Sequence, residues 1–534
     1  MEGNTRAAEG LRFGCPGCGS GLRYDIASGR MRCGSCGQSY ALSDIPDPSA
    51  GEADGMMEAV EYRCPQCGAA VHASQTAAAG FCSYCGADVI LTQRLTRVAR
   101  PAKLVPFRVT REKCEQIYRR RVKESRCAPD EFTAQQTIDH FRPVYIPFWR
   151  YQGTAGGDGL AGTAVNSYSD NNYEYTNQYQ YAISGSVSVS GVIYDASVSF
   201  EDETARQLRF STQRAVPFHP GYLCGFYAET PDTEPSLYEE GVRNYAQKAW
   251  EDEFAAQCKY KKPKAAFPHD SFAASADILL MPVWLLAHRS GGRVVYTAVN
   301  GDTGEIVCDT PVSNRRFGLL AAELAGLCAM LLVLLHFVII LRPRLLAALC
   351  GLTAAVAQCV IARVFWGLRI RRNRENDYTW LKLHPDPSGK IKKPVTLNIQ
   401  EIKWHRPLLI TGGVAAAGMV LSFIMSYNFN AFLAGLLADH SWLAPVLQSC
   451  ALAQFVIAGY RRQGGLDDIL FLARLAAMAA TLLAVFIAAA DISFYLCCVA
   501  LLALTALSLA RLNRAHNEYV SRPVPFFGKE EEQA

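Results

Sequence analysis

Two copies of one four-cysteine pattern lie in the N-terminal part of the chain and constrain its folding more than any other feature. In each copy, two C-x-x-C pairs are separated by fourteen residues, and the second copy follows the first at an offset of 49 residues. Four thiolates in two such pairs close a tetrahedral site around one metal ion and leave no open position for a substrate. We therefore predict two structural zinc ribbons, over residues 10–42 and 62–93, with two Zn²⁺ per chain. The predicted ligands are Cys15, Cys18, Cys33, Cys36, Cys64, Cys67, Cys82 and Cys85.

Two alternatives to zinc remain open for these eight cysteines. Disulfide bridges are one, although paired C-x-x-C motifs at identical spacing are a requirement of metal binding and not of bridges. Iron at a rubredoxin-like site is the other, because four thiolates suit both metals. A glycine follows each C-x-x-C pair, which favours a tight turn in which backbone amides approach the sulfurs.

The length and composition of the chain predict a soluble part followed by a membrane part. The chain has 534 residues, of which 50% are hydrophobic, and runs of Leu, Ala, Val and Ile dominate after about residue 317. Apolar runs of this length cross a bilayer as helices. The predicted membrane domain, residues 317–515, is α-helical and has about six spans. They are 317–341, 344–367, 407–426, 442–460, 467–490 and 492–511.

Positive charge sets the expected orientation of these spans. Lys and Arg are concentrated in 369–406 and after the fourth and sixth spans, whereas 426–441 has none. Cytoplasmic loops carry such an excess, so both termini, including the tail 516–534, are predicted to be cytoplasmic at the cell membrane. The polar N-terminus leads directly into a metal motif with no visible cleavable signal. Reduced thiolates that bind metal also suit the cytosol.

The soluble part between the ribbons and the membrane is predicted to be a cytoplasmic α+β domain with an antiparallel sheet, residues 94–313. Residues 43–61, with two prolines and an acidic bias, are expected to be a flexible linker between the ribbons. Thr110 is a candidate cap for a helix that ends near Glu124, and Ser236 begins a capping box for a second helix.

Sheet signals accompany these two helices. Alternating tyrosines in 173–181 predict a half-buried antiparallel strand, with a sugar or peptide platform as the alternative. Residues 293–308 predict a hairpin around Asn300-Gly301. A duplication is also indicated, because Val105-Pro106-Phe107, a helix and 145–149 resemble Val216-Pro217-Phe218, a helix and 280–284.

The order of these elements resembles a family of bacterial zinc-ribbon membrane proteins. That family is labelled by its ribbon of the transcription-factor-IIB type or as primosomal-protein-N-prime-like. The shared pattern is tandem CPxCG ribbons, then "YIPFW", "MPVW" and an "NGDTGEI" hairpin before membrane helices, over roughly residues 10–341. The resemblance implies association with SPFH (flotillin-like) or phage-shock-type proteins in envelope stress. A helicase motor is not expected, since the chain has no G-x-x-x-x-G-K-[ST] motif.

Catalysis is not expected from this sequence. No H-E-x-x-H and no G-x-S-x-G motif occurs, and the four-cysteine sites are coordinatively closed. The leading hypothesis is a non-enzymatic adaptor or scaffold whose cytoplasmic ribbons recruit protein partners to the membrane. No catalytic residue and no cofactor other than zinc are predicted.

Two other functions remain open. One is a membrane-tethered nucleic-acid binder, because residues 94–126 carry twelve Lys or Arg against three Glu. Anionic lipid headgroups and plain solvation are further interpretations of that run. The other is a transporter or channel with regulatory ribbons, although ionisable residues within the predicted spans are few.

Overall fold

The computed structural model describes residues 13–47, 55–73, 82–87, 92–170, 173–258, 261–290, 292–308, 310–336, 361, 364 and 491–524. The strands are β1 (Leu22–Asp25), β2 (Arg30–Cys33), β3 (Ser39–Tyr40), β4 (Met56–Arg63), β5 (Ala70–Ala73), β6 (Thr92–Ala99), β7 (Lys103–Leu104), β8 (Arg142–Asp170), β9 (Tyr173–Asp195), β10 (Val216–Pro217), β11 (Tyr227–Ala228), β12 (Lys261–Ala265), β13 (Ala273–Ser290), β14 (Arg293–Asn300), β15 (Ile306–Cys308) and β16 (Arg522–Pro523). The helices are α1 (Arg111–Glu124), α2 (Gln135–Ile138), α3 (Asp202–Gln207), α4 (Glu239–Gln257), α5 (Asn314–His336) and α6 (Asp491–Val520).

Two sheets organise the described residues. The first ribbon forms a three-stranded antiparallel sheet in the order β1-β2-β3. All later strands belong to one 13-stranded sheet, whose main path is β10-β7-β13-β8-β11-β5-β4-β6. Its long pairings are antiparallel, as predicted. The short strands β7 and β11 run parallel to β13 and β8, respectively, and antiparallel to their other neighbours, β10 and β5. The second ribbon is therefore part of the main sheet rather than a separate module.

The two long strands β8 and β13 form the centre of the sheet and reveal an internal twofold relationship. Ile146 lies opposite Met281, and the flanking pairs join Tyr145 to Pro282 and Pro147 to Leu280. The sequence repeats at 145–149 and 280–284 thus pair with each other in antiparallel register. An approximate twofold axis passes close to the Ile146–Met281 pair.

Hydrogen bonds outside this central pair follow the same symmetry. The indole Nε1 of Trp284 donates to Val109 O at 2.9 Å, and that of Trp149 donates to Thr233 O at 3.0 Å. Strand β7 pairs in parallel with β13, with Leu104 opposite Leu280, and β11 pairs in parallel with β8, with Ala228 opposite Tyr145. Because Leu280 and Tyr145 are equivalent positions of the repeat, β7 and β11 are related by the same axis. The structural counterpart of Val105-Pro106-Phe107 is therefore the segment after β11. The predicted match to Val216-Pro217-Phe218 was wrong, because that segment is β10, which pairs with β7 itself.

Both predicted helices of the soluble part are present, but only one begins as expected. Thr110 caps α1, and its hydroxyl oxygen accepts from the Lys113 N–H at 3.4 Å. Ser236 instead lies in a short 3-10 turn, Pro235–Tyr238, and its hydroxyl donates to Glu234 Oε2 at 3.3 Å. The proline at the start of this turn fixes its backbone, so the predicted capping box does not form.

The predicted linker 43–61 is ordered at both of its ends. Residues 56–61 lie in β4, which pairs with both β5 and β6. On the N-terminal side, Ile45 is buried, its carbonyl lies 3.1 Å from His219 Nε2, and Asp47 forms an ion pair with Arg100 at 2.5 Å. Both ribbons are consequently fixed to the main domain through the ends of this segment.

The prediction of six membrane spans is supported for one helix among the described residues. Four of the six predicted spans lie outside the described residues: 344–367, 407–426, 442–460 and 467–490. Within the first of these four, only residues 361 and 364 are described. The first span overlaps α5, and the sixth lies within α6. Among the described residues, one helix segment, Cys498–Val520, has the length and composition to cross a membrane, so six spans are not supported.

The predicted C-terminal tail is partly built into the main domain. Helix α6 continues to Val520, and β16 then adds to the edge of β14, with Arg522 opposite Val294. Tyr519 and Val520 are buried in the core that also contains Phe107. The start of α5 and the end of α6 therefore lie on the same face of the domain.

Candidate metal centres

The structure brings the eight predicted cysteines into two separate clusters. Within each cluster, the four Sγ atoms lie within 4.8 Å of one another. In the first cluster, Cys15 and Cys36 are separated by 3.6 Å, and Cys18 and Cys33 by 3.5 Å. In the second cluster, the corresponding Sγ–Sγ distances are 3.8 Å and 3.7 Å. All eight cysteines are free thiols, which contradicts the disulfide alternative.

These distances match the donor set of a tetrahedral metal site. A Zn–S bond of about 2.3 Å places the four sulfurs of a regular tetrahedron about 3.8 Å apart. Both clusters approach that spacing, and neither contains a carboxylate or imidazole. The two clusters are thus able to hold one metal ion each, with no coordination position left for a substrate.

The backbone of the four C-x-x-C motifs follows one pattern that the glycines permit. The N–H of Gly68 donates to Cys64 O at 2.9 Å, and that of Gly86 donates to Cys82 O at 3.0 Å. Gly19 and Gly37 make the same bonds in the first ribbon. All four glycines have positive φ, between 65° and 76°, which side chains with a Cβ rarely adopt. The positive φ required after each C-x-x-C pair therefore explains why glycine follows each pair in the sequence.

The two clusters differ in burial. All four cysteines of the second cluster are buried, whereas Cys18 and Cys36 of the first are exposed. Strand β13 covers the second cluster so closely that a Cβ on Gly86 would lie 2.9 Å from Ala287 O. The hydroxyl of Tyr296 also donates to Tyr84 O at 2.5 Å. The second site is a component of the domain core, and the first is open to solvent on one side.

Polar neighbours stabilise the thiolate form of two cysteines in the first cluster, Cys15 and Cys33, whereas the pKa values of Cys18 and Cys36 are raised. The hydroxyl of Tyr40 lies 3.5 Å from Cys15 Sγ and lowers the pKa of that thiol to about 6. The backbone amides of Cys36 and Ser35 lower the pKa of Cys33. Deprotonated sulfur is the form that binds metal, so these groups favour metal binding.

The basic run 94–126 does not form one continuous surface. It is divided among β6, β7 and α1, and some of its members are paired within the domain. Arg100 binds Asp47, and the Arg119 guanidinium donates to Gln135 Oε1 at 2.5 Å. The exposed members are concentrated at the C-terminal end of α1.

A buried polar cluster escaped the sequence analysis. The Ser199 hydroxyl donates to Glu229 Oε1 at 3.1 Å, and Asp232 Oδ1 accepts from the Val198 N–H at 2.8 Å. Burial raises the pKa of Glu229 well above its usual range, with the Asp232 charge adding to the effect. Burial also raises the pKa of Asp232 to about 6. Glu229 is buried, whereas Asp232 beside it keeps an exposed surface. Isolated carboxyls in a loop have no sequence periodicity, so only the fold shows this arrangement.

We expect Asp232→Asn to stabilise the chain at pH 8 but not at pH 4. The folded state holds the Asp232 proton more tightly than the unfolded state, in which the pKa is about 3.9. Stabilisation from this proton is present below pH ~4 and is lost as the pH rises through about 6. Because Asp232 keeps a solvent-exposed surface, we expect the amide to remove a cost of about 1 kcal/mol or less at pH 8. Thermal unfolding of the detergent-purified chain measures it.

Asp158→Asn is the matched control, because Asp158 is exposed on β8. It should leave the unfolding midpoint unchanged at both pH values. Equal loss of stability at both pH values in the Asp232 variant would mean that the carboxylate's hydrogen bond outweighs its burial.

Comparison with known proteins identifies a relative of unassigned function. The chain is 26% identical over 325 residues to the uncharacterized protein YdjG of Bacillus subtilis (strain 168), covering 59% of this chain and 94% of the relative. No family model matches the chain. No solved structure matches it either.

Proposed function

We propose that the chain is a non-enzymatic, membrane-anchored adaptor that recruits a soluble protein partner. The observation that carries this proposal is the hairpin arm, defined here as the paired parts of β8 and β9 from residue 155 to 190. Strand β13 pairs with β8 only as far as Thr154, and β12 pairs with β8 at residues 162–165. Beyond residue 165 the two strands continue as a pair to Asp170 and Tyr173. The arm thus extends past the rest of the sheet.

The end of the arm presents aromatic side chains to solvent. Tyr173 is 69% exposed, and Tyr168 and Tyr175 are also exposed. The rings of Tyr168 and Tyr175 stack with their centroids 5.2 Å apart. Rigid, amphipathic tyrosines are enriched where proteins bind other proteins. The predicted half-burial holds only from Tyr179 onward, where the strand approaches α4.

The outer edge of the arm also favours binding. Among the described residues, β9 pairs with β8 alone. From Tyr173 to Tyr194 the strand contains one charged residue, Glu174, and no lysine or proline. Proteins usually protect edge strands with such residues, and an unprotected edge accepts an added strand. We infer that the partner docks along β9 and the tyrosines at its tip.

The ribbons have a structural role in this proposal. We infer that each cluster binds Zn²⁺, because four thiolates at tetrahedral spacing suit it and the site is closed to substrate. Iron is the alternative, and elemental analysis of the purified chain distinguishes the two metals. The second ribbon's packing against β13 makes its metal part of the core of the domain.

Membrane anchoring is supported by the apolar surfaces of α5 and α6. Large apolar side chains are exposed along both helices. They are Leu319, Leu327, Met330, Leu331, Leu334, Ile492, Tyr495, Leu496, Val499, Leu502 and Leu507. Because α5 leaves and α6 returns to one face of the domain, an even number of crossings between them satisfies the connection. We propose a multi-pass anchor in the cell membrane with the domain and both termini in the cytosol.

Protein partners of the SPFH or phage-shock type follow from the family resemblance alone. A membrane-tethered nucleic-acid binder is the second candidate, and the basic end of α1 favours it. The transporter alternative concerns the predicted spans, four of which lie outside the described residues.

Charges placed on the arm test the adaptor proposal. We expect Gln178→Lys with Gln180→Lys, both exposed on β9, to lower partner recovery about tenfold, equivalent to ~1.4 kcal/mol. The physical reason is that lysines on an edge strand oppose strand addition. Affinity capture from detergent-solubilised membranes, with quantitative mass spectrometry, measures the recovery.

The control places the same two charges on exposed positions of α4, as Asn244→Lys with Ala256→Lys. It should recover partners as the unmodified chain does. Equal recovery with the arm variant would contradict docking along β9. Salt-sensitive recovery of nucleic acid in place of protein would favour the second candidate.

A further inference from the structure

The C-terminal end of α1 is fixed to the beginning of α5. The Ser313 N–H donates to Cys127 O at 2.8 Å, and the hydroxyls of Ser125 and Thr310 lie 2.9 Å apart. The Arg316 guanidinium donates to Ala128 O at 2.9 Å. These contacts place the last turn of α1 beside the first turn of a helix whose apolar side chains are exposed from Leu319 onward.

Exposed cations surround this junction, and we call them the basic collar. The collar consists of Arg120, Arg121, Lys123, Arg126, Arg315 and Arg514. Arg120 has 86% of its side chain exposed and Arg121 has 47%. Arg514 joins them from α6, whose end docks on the same face through Asn517 and Val312.

Acidic residues near the collar balance only part of its charge. Glu124 lies 3.8 Å from Arg120 and 3.3 Å from Arg121, so one carboxylate serves two guanidinium groups. Asp130 is paired with Arg316, which is not in the collar. Glu518, exposed one helical turn after Arg514 on α6, is a second acid beside the collar. Six cations against Glu124 and Glu518 leave an excess of positive charge at the base of α5 and α6.

We propose that the basic collar binds the phosphates of anionic phospholipid headgroups in the leaflet next to the domain. The inference rests on the proposed membrane anchoring. Arg315 and Leu319 are four residues apart on α5, a rise of about 6 Å, which is the depth of the headgroup region relative to the first acyl carbons. Guanidinium groups bind phosphate in a bidentate manner, and each basic residue near the surface adds to the attraction. The same side chains cannot contact lipid headgroups and a nucleic-acid duplex at the same time, so the two interpretations of these cations exclude each other.

Native mass spectrometry of the detergent-purified full chain tests the collar, with phosphatidylglycerol and phosphatidylcholine added separately. The unmodified chain should bind phosphatidylglycerol about tenfold or more in preference to phosphatidylcholine. Replacing three collar residues (R120Q, R121Q and K123Q) should remove most of that preference, because glutamine keeps helix propensity and loses the charge. The control carries R23Q, R30Q and R32Q on the first ribbon and should keep the preference.

The outcomes distinguish lipid binding by the basic collar from membrane anchoring by α5 and α6. A chain that stays in the membrane fraction but binds both lipids equally would overturn the collar and leave anchoring intact. A chain recovered entirely in the soluble fraction would overturn both. Loss of preference in the ribbon control to the same degree would also contradict the collar, since net charge would then explain the binding. Binding of a DNA duplex at physiological salt, with no lipid preference, would assign the cations to nucleic acid instead.

Discussion

Replacing Cys67 with serine is expected to remove one of two metal ions and to disrupt the core of the main domain. Cys67 is fully buried, and its cluster packs with Val283 and Leu285 of β13 in one hydrophobic core. Structural zinc contributes about 10 kcal/mol or more to folding in small domains, so its loss exceeds the stability of most single domains. We expect a fall in unfolding midpoint of more than roughly 10 °C, or no recoverable folded chain.

Cys36→Ser provides the matched comparison in the first ribbon. Cys36 is exposed, and its ribbon forms a sheet of its own. This variant should also retain one ion per chain, but with a much smaller fall in midpoint. Elemental analysis gives the metal content, and thermal unfolding of the detergent-purified chain gives the midpoint.

Chelation of the unmodified chain keeps the prediction testable if the Cys67 variant does not fold. The exposed site should release its ion first, and the buried site only after a slower opening of the core. Simultaneous release of both ions, or equal effects of the two substitutions, would contradict the difference in burial. Iron in place of zinc would contradict the metal assignment but not the structural role.

The metal sites were predictable because all of their ligands come from one short repeated motif. Fourteen residues between C-x-x-C pairs specify the cluster without any distant contact. The burial of the second ribbon was not predictable, since it depends on residues more than 200 positions away. Arg289 donates to Gln66 Oε1 at 2.8 Å, and Tyr296 bonds to Tyr84. No local sequence pattern near Cys64 predicts those contacts.

For the hairpin arm, the sequence predicted the strand but not how much of it is exposed. Alternating tyrosines correctly predicted a strand over 173–181, because side chains alternate between the faces of a sheet. The degree of burial depends on whether a second layer covers the face. Helix α4 reaches Tyr181, whose ring lies 6.3 Å from that of Phe254, while Tyr173 and Tyr175 lie beyond it. Periodicity therefore located the strand and left its exposed end unrecognised.

The duplicated halves were recognised from 145–149 and 280–284, but the short motif Val105-Pro106-Phe107 was matched to the wrong segment of the second half. Two residues such as Pro-Phe recur by chance, whereas hydrogen bonds define equivalence. The N–H of Gly301 donates to Pro282 O at 2.8 Å, and that of Ala196 donates to Pro147 O at 3.1 Å. The Asn300-Gly301 turn thus corresponds to Asp195-Ala196, although the two sequences differ. In one half the turn carries Asp302, which is paired with Arg214, and the other half carries the buried Asp195 and Glu229.

Asn517→Leu is expected to weaken the connection between α6 and the domain by about 1 to 3 kcal/mol. Asn517 Oδ1 accepts from the Val312 N–H at 2.7 Å, and its Nδ2 donates to Val312 O at 2.9 Å. The side chain thereby pairs both backbone groups of Val312, in the segment that leads into α5. Leucine has a similar volume but removes both hydrogen bonds, and each is worth about 0.5 to 1.5 kcal/mol at this partly buried position.

Thermal unfolding of the detergent-purified chain and proteolysis of the segment around Val312 measure the effect. Asn513→Leu is the graded comparison, since Asn513 makes a single longer bond, 3.4 Å, to Asn314. It should cost less than the Asn517 variant and leave the segment protected. Glu518→Gln, at an exposed position, should cost nothing measurable.

The result also bears on how the two helices enter the membrane. Asn517 links the end of α6 to the segment before α5, and β16 fixes the chain after α6 to β14, so loosening the Asn517 contact should expose the start of α5. If Asn517→Leu leaves both the unfolding midpoint and the protease resistance unchanged, the helices do not depend on this junction. The even number of crossings inferred from their common face would then lose its structural basis.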